Sequence, residues 1–147
     1  MSTQTQMQPF SETTSELSSL VKVMRFLFLG ITVILTTMAL LQFFLAGLGM
    51  FEAPARWADH ANNGHIFGFI TYVVWIPAFL GKLGRKLIIG SVVIFVLAHL
   101  QYPFMEIDSG IVNALHPLNG SLILVVTVWL TGQAIASVRS QGASGIR

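Results

Sequence analysis

The sequence contains no cysteine. That excludes disulfides, iron–sulfur clusters and thiolate-bound metals, and it leaves the redox compartment open. Charge is scarce too: only 10% of the 147 residues are charged, where a water-soluble domain of this size carries about 25%. The net charge of +2 is small and no Lys/Arg-rich block occurs, so nucleic acid is not an expected partner. Paired carboxylates, a Ser/His/Asp set and a phosphate-cradling loop are all missing, which leaves soluble-type hydrolysis without machinery. No acid or base lies within a long apolar run to couple an ion, which argues against an ordinary transporter.

What the chain has instead is apolar length. Uncharged stretches run over 26–51, 61–81, 87–105 and 111–138, and roughly 20 apolar residues cross a lipid bilayer as a helix. Short connections make sequential helices antiparallel neighbours. The expected fold class is all-α: a transmembrane four-helix up-down bundle over 21–139. The polar segment 1–20 lacks the basic start of a signal peptide and is expected to be a disordered cytoplasmic tail, as is 140–147. Lys22, Arg25, Lys82, Arg85, Lys86 and Arg139 flank one side of the spans, while Arg56, Glu52, Asp59, Glu106 and Asp108 fall on the other. The positive-inside rule then predicts both termini in the cytoplasm. Pro77 and Pro103 are expected to kink their helices, and Pro117 falls in the first turns of the fourth, where a missing N–H matters least.

The chain also repeats itself. Ala39-Leu40-Leu41-Gln42-Phe43-Phe44 matches Ala98-His99-Leu100-Gln101-Tyr102-Pro103, and His60-Ala61-Asn62-Asn63-Gly64 matches His116-Pro117-Leu118-Asn119-Gly120. The offsets are 59 residues (Gln42 to Gln101) and 56 residues (His60 to His116), in the same order. Two helical hairpins related by a pseudo-two-fold axis along the membrane normal account for this, with His60 and His116 facing each other across it.

All four histidines fall in the outer half of the membrane. Ionisable residues inside a span usually face a cavity, a partner or a ligand. A b-type haem needs no cysteine, and two neutral imidazoles on facing helices supply both axial ligands. His60 and His116 are the expected pair. Gly64 and Gly120, each four residues on and on the same helix face, would let the macrocycle approach the backbone. Asn63, Asn119 and Arg56 are candidates to orient a ring or meet a propionate, and Gln42 and Gln101 to hydrogen-bond behind the ligands. His65 lies about 140° round the helix from His60, and His99 is the substitute ligand or a contact to the haem edge. Two other readings stay open. Asp59, His60, His65, His99 and His116 have the chemistry to bind zinc or copper, although no His-x-x-x-His spacing occurs. A cofactor-free structural or assembly subunit would use the same histidines as packing groups, with Trp57 in the interfacial belt. Haem fits the slot best, and the sequence does not exclude a carotenoid, chlorophyll or lipid there.

The segments Leu-Gln-Phe-Phe-Leu-Ala-Gly-Leu-Gly at 41–49, Asp-His-Ala-Asn-Asn-Gly-His at 59–65 and Ala-Leu-His-Pro-Leu-Asn-Gly at 114–120 resemble a group of small four-span bacterial membrane proteins. The arrangement is also similar to one half of haem A synthase, in which each four-helix bundle has a histidine at the outer end of its second and fourth helices. His60 and His116 match those places. The Glu-x-x-His-Arg of that family reads Trp57-Ala58-Asp59-His60-Ala61 here, so the glutamate and arginine are missing. The resemblance implies haem b binding in a bacterial cytoplasmic (inner) membrane and disfavours the synthase reaction. Electron transfer or a haem-linked redox role at the outer face is the expectation. It requires a homodimer mate, a membrane redox partner or a quinone.

Overall fold

A computed structural model describes residues 18–144, with side chains described as far as Gln141. Every element is helical: α1 (Ser19–Phe51), a 3₁₀ turn (Pro54–Arg56), α2 (Trp57–Thr71), α3 (Trp75–Leu80), α4 (Arg85–Glu106) and α5 (Gly110–Ser144). Four helical segments are long and apolar enough to cross a membrane: Ser19–Phe51, Pro54–Leu80, Arg85–Glu106 and Gly110–Gln141. The chain is a multi-pass membrane protein built as a four-helix bundle.

Local chemistry sets the boundaries. The start of α1 precedes the uncharged run because Ser18 caps it, its Oγ accepting from the Val21 N–H at 3.4 Å. Helix α5 carries on through 140–144, where an irregular tail is expected. Most of that tail's polar residues tolerate a helix, and the Ser137 and Ser140 hydroxyls donate to carbonyls one turn back. The expected disorder of 1–17 and 145–147 lies outside the described residues. Pro77 does more than kink the second span. It has no N–H for the Val73 carbonyl, and that carbonyl instead accepts from Ile76 at 3.0 Å. Between Thr71 and Trp75 the bonds tighten to three-residue steps, Tyr72 to Phe69 and Val73 to Ile70, and the Trp75 indole N–H takes up the Tyr72 carbonyl at 2.8 Å. Pro103 sits in the last turn of α4 and leaves it helical to Glu106. The α3–α4 turn uses two residues at positive φ, Lys82 (50°) and Gly84 (85°), of which only the glycine adopts that region without strain. Beside this turn the Arg25 side chain donates to the Gly81 carbonyl at 2.8 Å, tying α1 to the end of α3.

The spans form a ring: α1 packs on α2/α3 and α5, and α4 packs on α3/α2 and α5. Helices α1 and α4 therefore lie on one diagonal, and α2/α3 and α5 on the other. The core obeys the repeat. Phe28, Thr32, Leu35 and Ala39 are buried on α1, and their counterparts 59 residues on, Leu87, Ser91, Ile94 and Ala98, are buried on α4. Phe67, Thr71, Val74 and Ala78 on the second span pair in the same way with Ile123, Thr127, Leu130 and Ala134 on α5, 56 residues on. Each set steps by four, three and four residues. This is the heptad spacing that keeps a seam facing its partner along a left-handed bundle. The four buried hydroxyls each donate within their own helix, Thr32 to Leu29, Thr71 to Gly68, Ser91 to Leu87 and Thr127 to Leu124, so none is left unpaired in an apolar core. Outward positions such as Phe44, Phe79 and Val125 are exposed, as lipid-facing residues are.

Candidate functional site

The repeat puts His60 on α2 and His116 on α5 at opposite corners of the ring, and the two imidazoles meet across the axis. Their ring centres are 6.0 Å apart, with planes at 50°. Each ring is held from behind in the same way. His60 Nδ1 lies 3.1 Å from the Gln42 carbonyl, and His116 Nδ1 lies 3.3 Å from the Gln101 carbonyl. A carbonyl oxygen only accepts, so Nδ1 carries a proton in both rings, the tautomer that in a neutral imidazole leaves the lone pair on Nε2. Ligating histidines are commonly oriented by this kind of bond.

One turn further along, Asn63 Nδ2 donates to the Met38 carbonyl at 3.2 Å and Asn119 Nδ2 to the Leu97 carbonyl at 2.7 Å. The acceptors stand four residues before Gln42 and Gln101, so the two hairpins share one clamp. The asparagines are committed to backbone and neither lines the cavity described below. Asn119 makes a second bond, to Gln101 Oε1 at 2.9 Å, whereas Gln42 Oε1 is buried with no partner among the described residues. Replacing Asn119 by leucine removes both bonds from the α4–α5 hairpin. Interhelical hydrogen bonds in membranes are worth about 0.6 kcal/mol each and at most about 1.7. The expected loss in a denaturant titration is about 1–2 kcal/mol, larger than for Asn63→Leu.

Gly64 and Gly120 sit against the glutamine side chains. A Cβ on Gly64 would lie 2.8 Å from Gln42 Nε2, and one on Gly120 would lie 3.5 Å from Gln101 Nε2. The glycines therefore make room for the glutamines as well as for whatever occupies the axis. Gly49 does the same for Trp57, whose indole would lie 2.6 Å from an added Cβ. Trp57 then meets the edge of His60, 5.5 Å between centres, a contact that sequence reading assigns only to an interfacial belt.

Between these groups lies a cavity of about 310 Å³, lined by all four spans. Both His60 and His116 border it, with His65, Gln42, Gln101, Gly64 and Gly120. Its walls also include Ala39, Phe43, Tyr102, Met105 and Glu106. Of the residues missed from sequence, Phe43 and Tyr102 carried a signal: they follow Gln42 and Gln101 at the repeat offset. Glu106 carried none beyond its place at the end of α4.

Two expected site residues sit elsewhere. Arg56 is ion-paired on the connection, to Asp59 at 2.7 Å and Glu52 at 3.5 Å, and does not border the cavity, so it is not positioned to meet a propionate there. His99 points along the seam between α2 and α4, with Nδ1 on the Phe95 carbonyl at 2.8 Å and its ring against Tyr72 and Phe95. The zinc or copper site does not assemble: among the described residues no three His, Asp or Glu side chains come together as a metal group. Asp59 is taken up by Arg56.

A family model described as a family of unknown function (DUF6220) matches residues 42–107. The matched region runs from Gln42 to the end of α4, so it takes in His60, His65 and His99 and stops short of His116. No curated protein and no solved structure matches the chain.

Proposed function

We propose that this chain binds one b-type haem on the bundle axis, with His60 and His116 as the two axial ligands. The observation that carries the reading is the facing pair of imidazoles, each with Nδ1–H fixed on a backbone carbonyl and Nε2 left as a lone-pair donor beside a cavity. A metal held by two imidazoles at about 2.0 Å per bond puts the ring centres roughly 6 Å apart, and these stand at 6.0 Å. The cavity walls are apolar apart from a few placed groups, which suits a flat macrocycle. Gly64 and Gly120 keep Cβ atoms away from both ligand helices at that level. The bound group would supply one-electron chemistry; the chain orients the imidazoles. The likeness to half of a haem A synthase supports binding, and the absent Glu-x-x-His-Arg makes electron transfer a better reading than that enzyme's reaction.

The test is an absorption spectrum with a pyridine haemochrome assay on protein purified in detergent from haem-replete cells. A b-type spectrum approaching one haem per chain is the expected result. A protein that stays colourless after haem titration sinks the proposal and leaves the histidines as packing groups.

The site faces the outer side of a bacterial cytoplasmic membrane. Arg25, Lys82, Arg85 and Lys86 gather where Arg25 meets Gly81, and that basic end belongs inside. Because the chain has no cysteine, single replacements report this directly. In intact cells an impermeant maleimide should label Ala55→Cys, and should label Lys82→Cys only after permeabilisation. The reverse pattern inverts the topology.

A further inference from the structure

The two hairpins superimpose in pattern at the core, the clamp and the histidine pair, but they part company on their outer seams. Between α2 and α4 lie His65, Phe69, Tyr72, Phe95, His99 and Tyr102. The repeat-equivalent positions between α5 and α1 read Ser121, Val125, Val128, Thr36, Leu40 and Phe43. One seam has neither histidine nor tyrosine and its hydroxyls are satisfied, Ser121 on Pro117 and Thr36 on Thr32 and Thr131. The other gathers both tyrosines of the chain and the two histidines that do not face each other across the axis.

Its rings form a continuous run. His65 stacks on Tyr102 at 5.7 Å and 10°, Tyr102 lies 6.1 Å from His99, and His99 lies 4.9 Å from Tyr72. Gly68, where the partner hairpin has Leu124, opens a notch in α2, and a Cβ there would stand 3.0 Å from Tyr102 Oη. Neither tyrosine hydroxyl and neither nitrogen of His65 makes a hydrogen bond among the described residues, although Tyr72 is 52% exposed in a stretch that crosses the membrane. Acyl chains offer such groups nothing, and unsatisfied polar atoms in hydrocarbon are unfavourable.

We infer that this seam is a second site, distinct from the His60–His116 axis, that binds a lipid-soluble quinone or quinol. The ligand has to arrive through lipid, be flat enough to lie against stacked rings, and carry oxygens that pair with them. A quinone carbonyl accepts from a tyrosine hydroxyl, and a quinol hydroxyl donates to an imidazole nitrogen. His65 and Tyr102 border both this seam and the axial cavity, so the two sites share a wall. The inference stands on the seam alone and needs no haem.

The experiment uses the full chain in nanodiscs of quinone-free lipid, titrated with a decyl-tailed benzoquinone. Quenching of tryptophan fluorescence reads binding, since the Trp75 indole holds the Tyr72 carbonyl. Saturable quenching is expected, with only linear partitioning for decylbenzene, which has the tail and ring without the oxygens. Loss of two hydrogen bonds in His65→Leu/Tyr72→Phe weakens binding about tenfold or more, while Ser121→Ala/Val128→Ala on the opposite seam leaves it unchanged. Unchanged affinity in the first variant, or equal loss in both, overturns the site. If the first variant does not fold, an azide-bearing quinone photolabels the native chain. Label within 65–72 or 95–102 supports the site, and label only elsewhere overturns it. Saturable binding to haem-free protein reads the seam by itself, so failure of the haem reading is seen separately.

Discussion

With haem bound as proposed, alanine at either His60 or His116 should remove the b-type spectrum, each single loss being as complete as the double. The proposed haem would be held by both nitrogens, so neither imidazole alone would suffice. The partner imidazole cannot move across to compensate, because its Nδ1–H is fixed on a carbonyl of the neighbouring helix. Those acceptors are backbone atoms, so substitutions at Gln42 or Gln101 leave them in place and spare most of the spectrum. His99→Ala also spares it, since His99 does not border the cavity. Bound haem stabilises the fold by mass action, by about 2.7 kcal/mol at one hundred times its dissociation constant; the variants lose that increment in a thermal melt with added haem. A full spectrum in His116→Ala would transfer the ligand role to His65, the one other histidine on the cavity wall.

The second large effect is on stability. Leu35→Ala and Ile94→Ala occupy repeat-equivalent places and are both fully buried. Each should lower unfolding stability by about 2 kcal/mol, near the bottom of the range for soluble cores. Helices that separate within lipid lose packing without exposing the side chain to water, so the cavity term dominates. Val125→Ala, 65% exposed, should stay within about 0.5 kcal/mol of the parent. Denaturant titration of the three proteins in one detergent decides it. Equal effects at all three positions would mean that the four-three-four core pattern does not mark the packed seam.

The parts that the sequence displays most clearly are those set by length and spacing. Uncharged runs located the four spans, and two short matched segments located the axis on which His60 and His116 meet. The repeat was legible because a buried polar clamp tolerates little variation: Gln, His, Asn and Gly recur together, each serving the same contact twice. Helix ends were harder to see, since a charge ends an apolar run without ending a helix. Ser18 and the polar residues 140–144 show this at the two termini. The roles of Arg56, Asn63 and Asn119 depended on which acceptor lies nearest in space. Arg56 found Asp59 three residues away, and the asparagines found carbonyls on a neighbouring helix. Nor does composition reveal that His65, His99, Tyr72 and Tyr102 share one seam, because α2 and α4 are brought together only by the ring order of the spans.

One feature of the core bears on the whole membrane. Thr32, Thr71, Ser91 and Thr127 each turn their hydroxyl back onto their own helix, and among the described residues the one hydroxyl-to-hydroxyl contact between helices is Thr36 with Thr131. The four buried hydroxyls of the core therefore make no bond from helix to helix among the described residues. Below the histidine pair the bundle is a dielectric plug. Packing holds the four spans together there, and the polar rings that lead away from the histidine level do so along the α2–α4 seam.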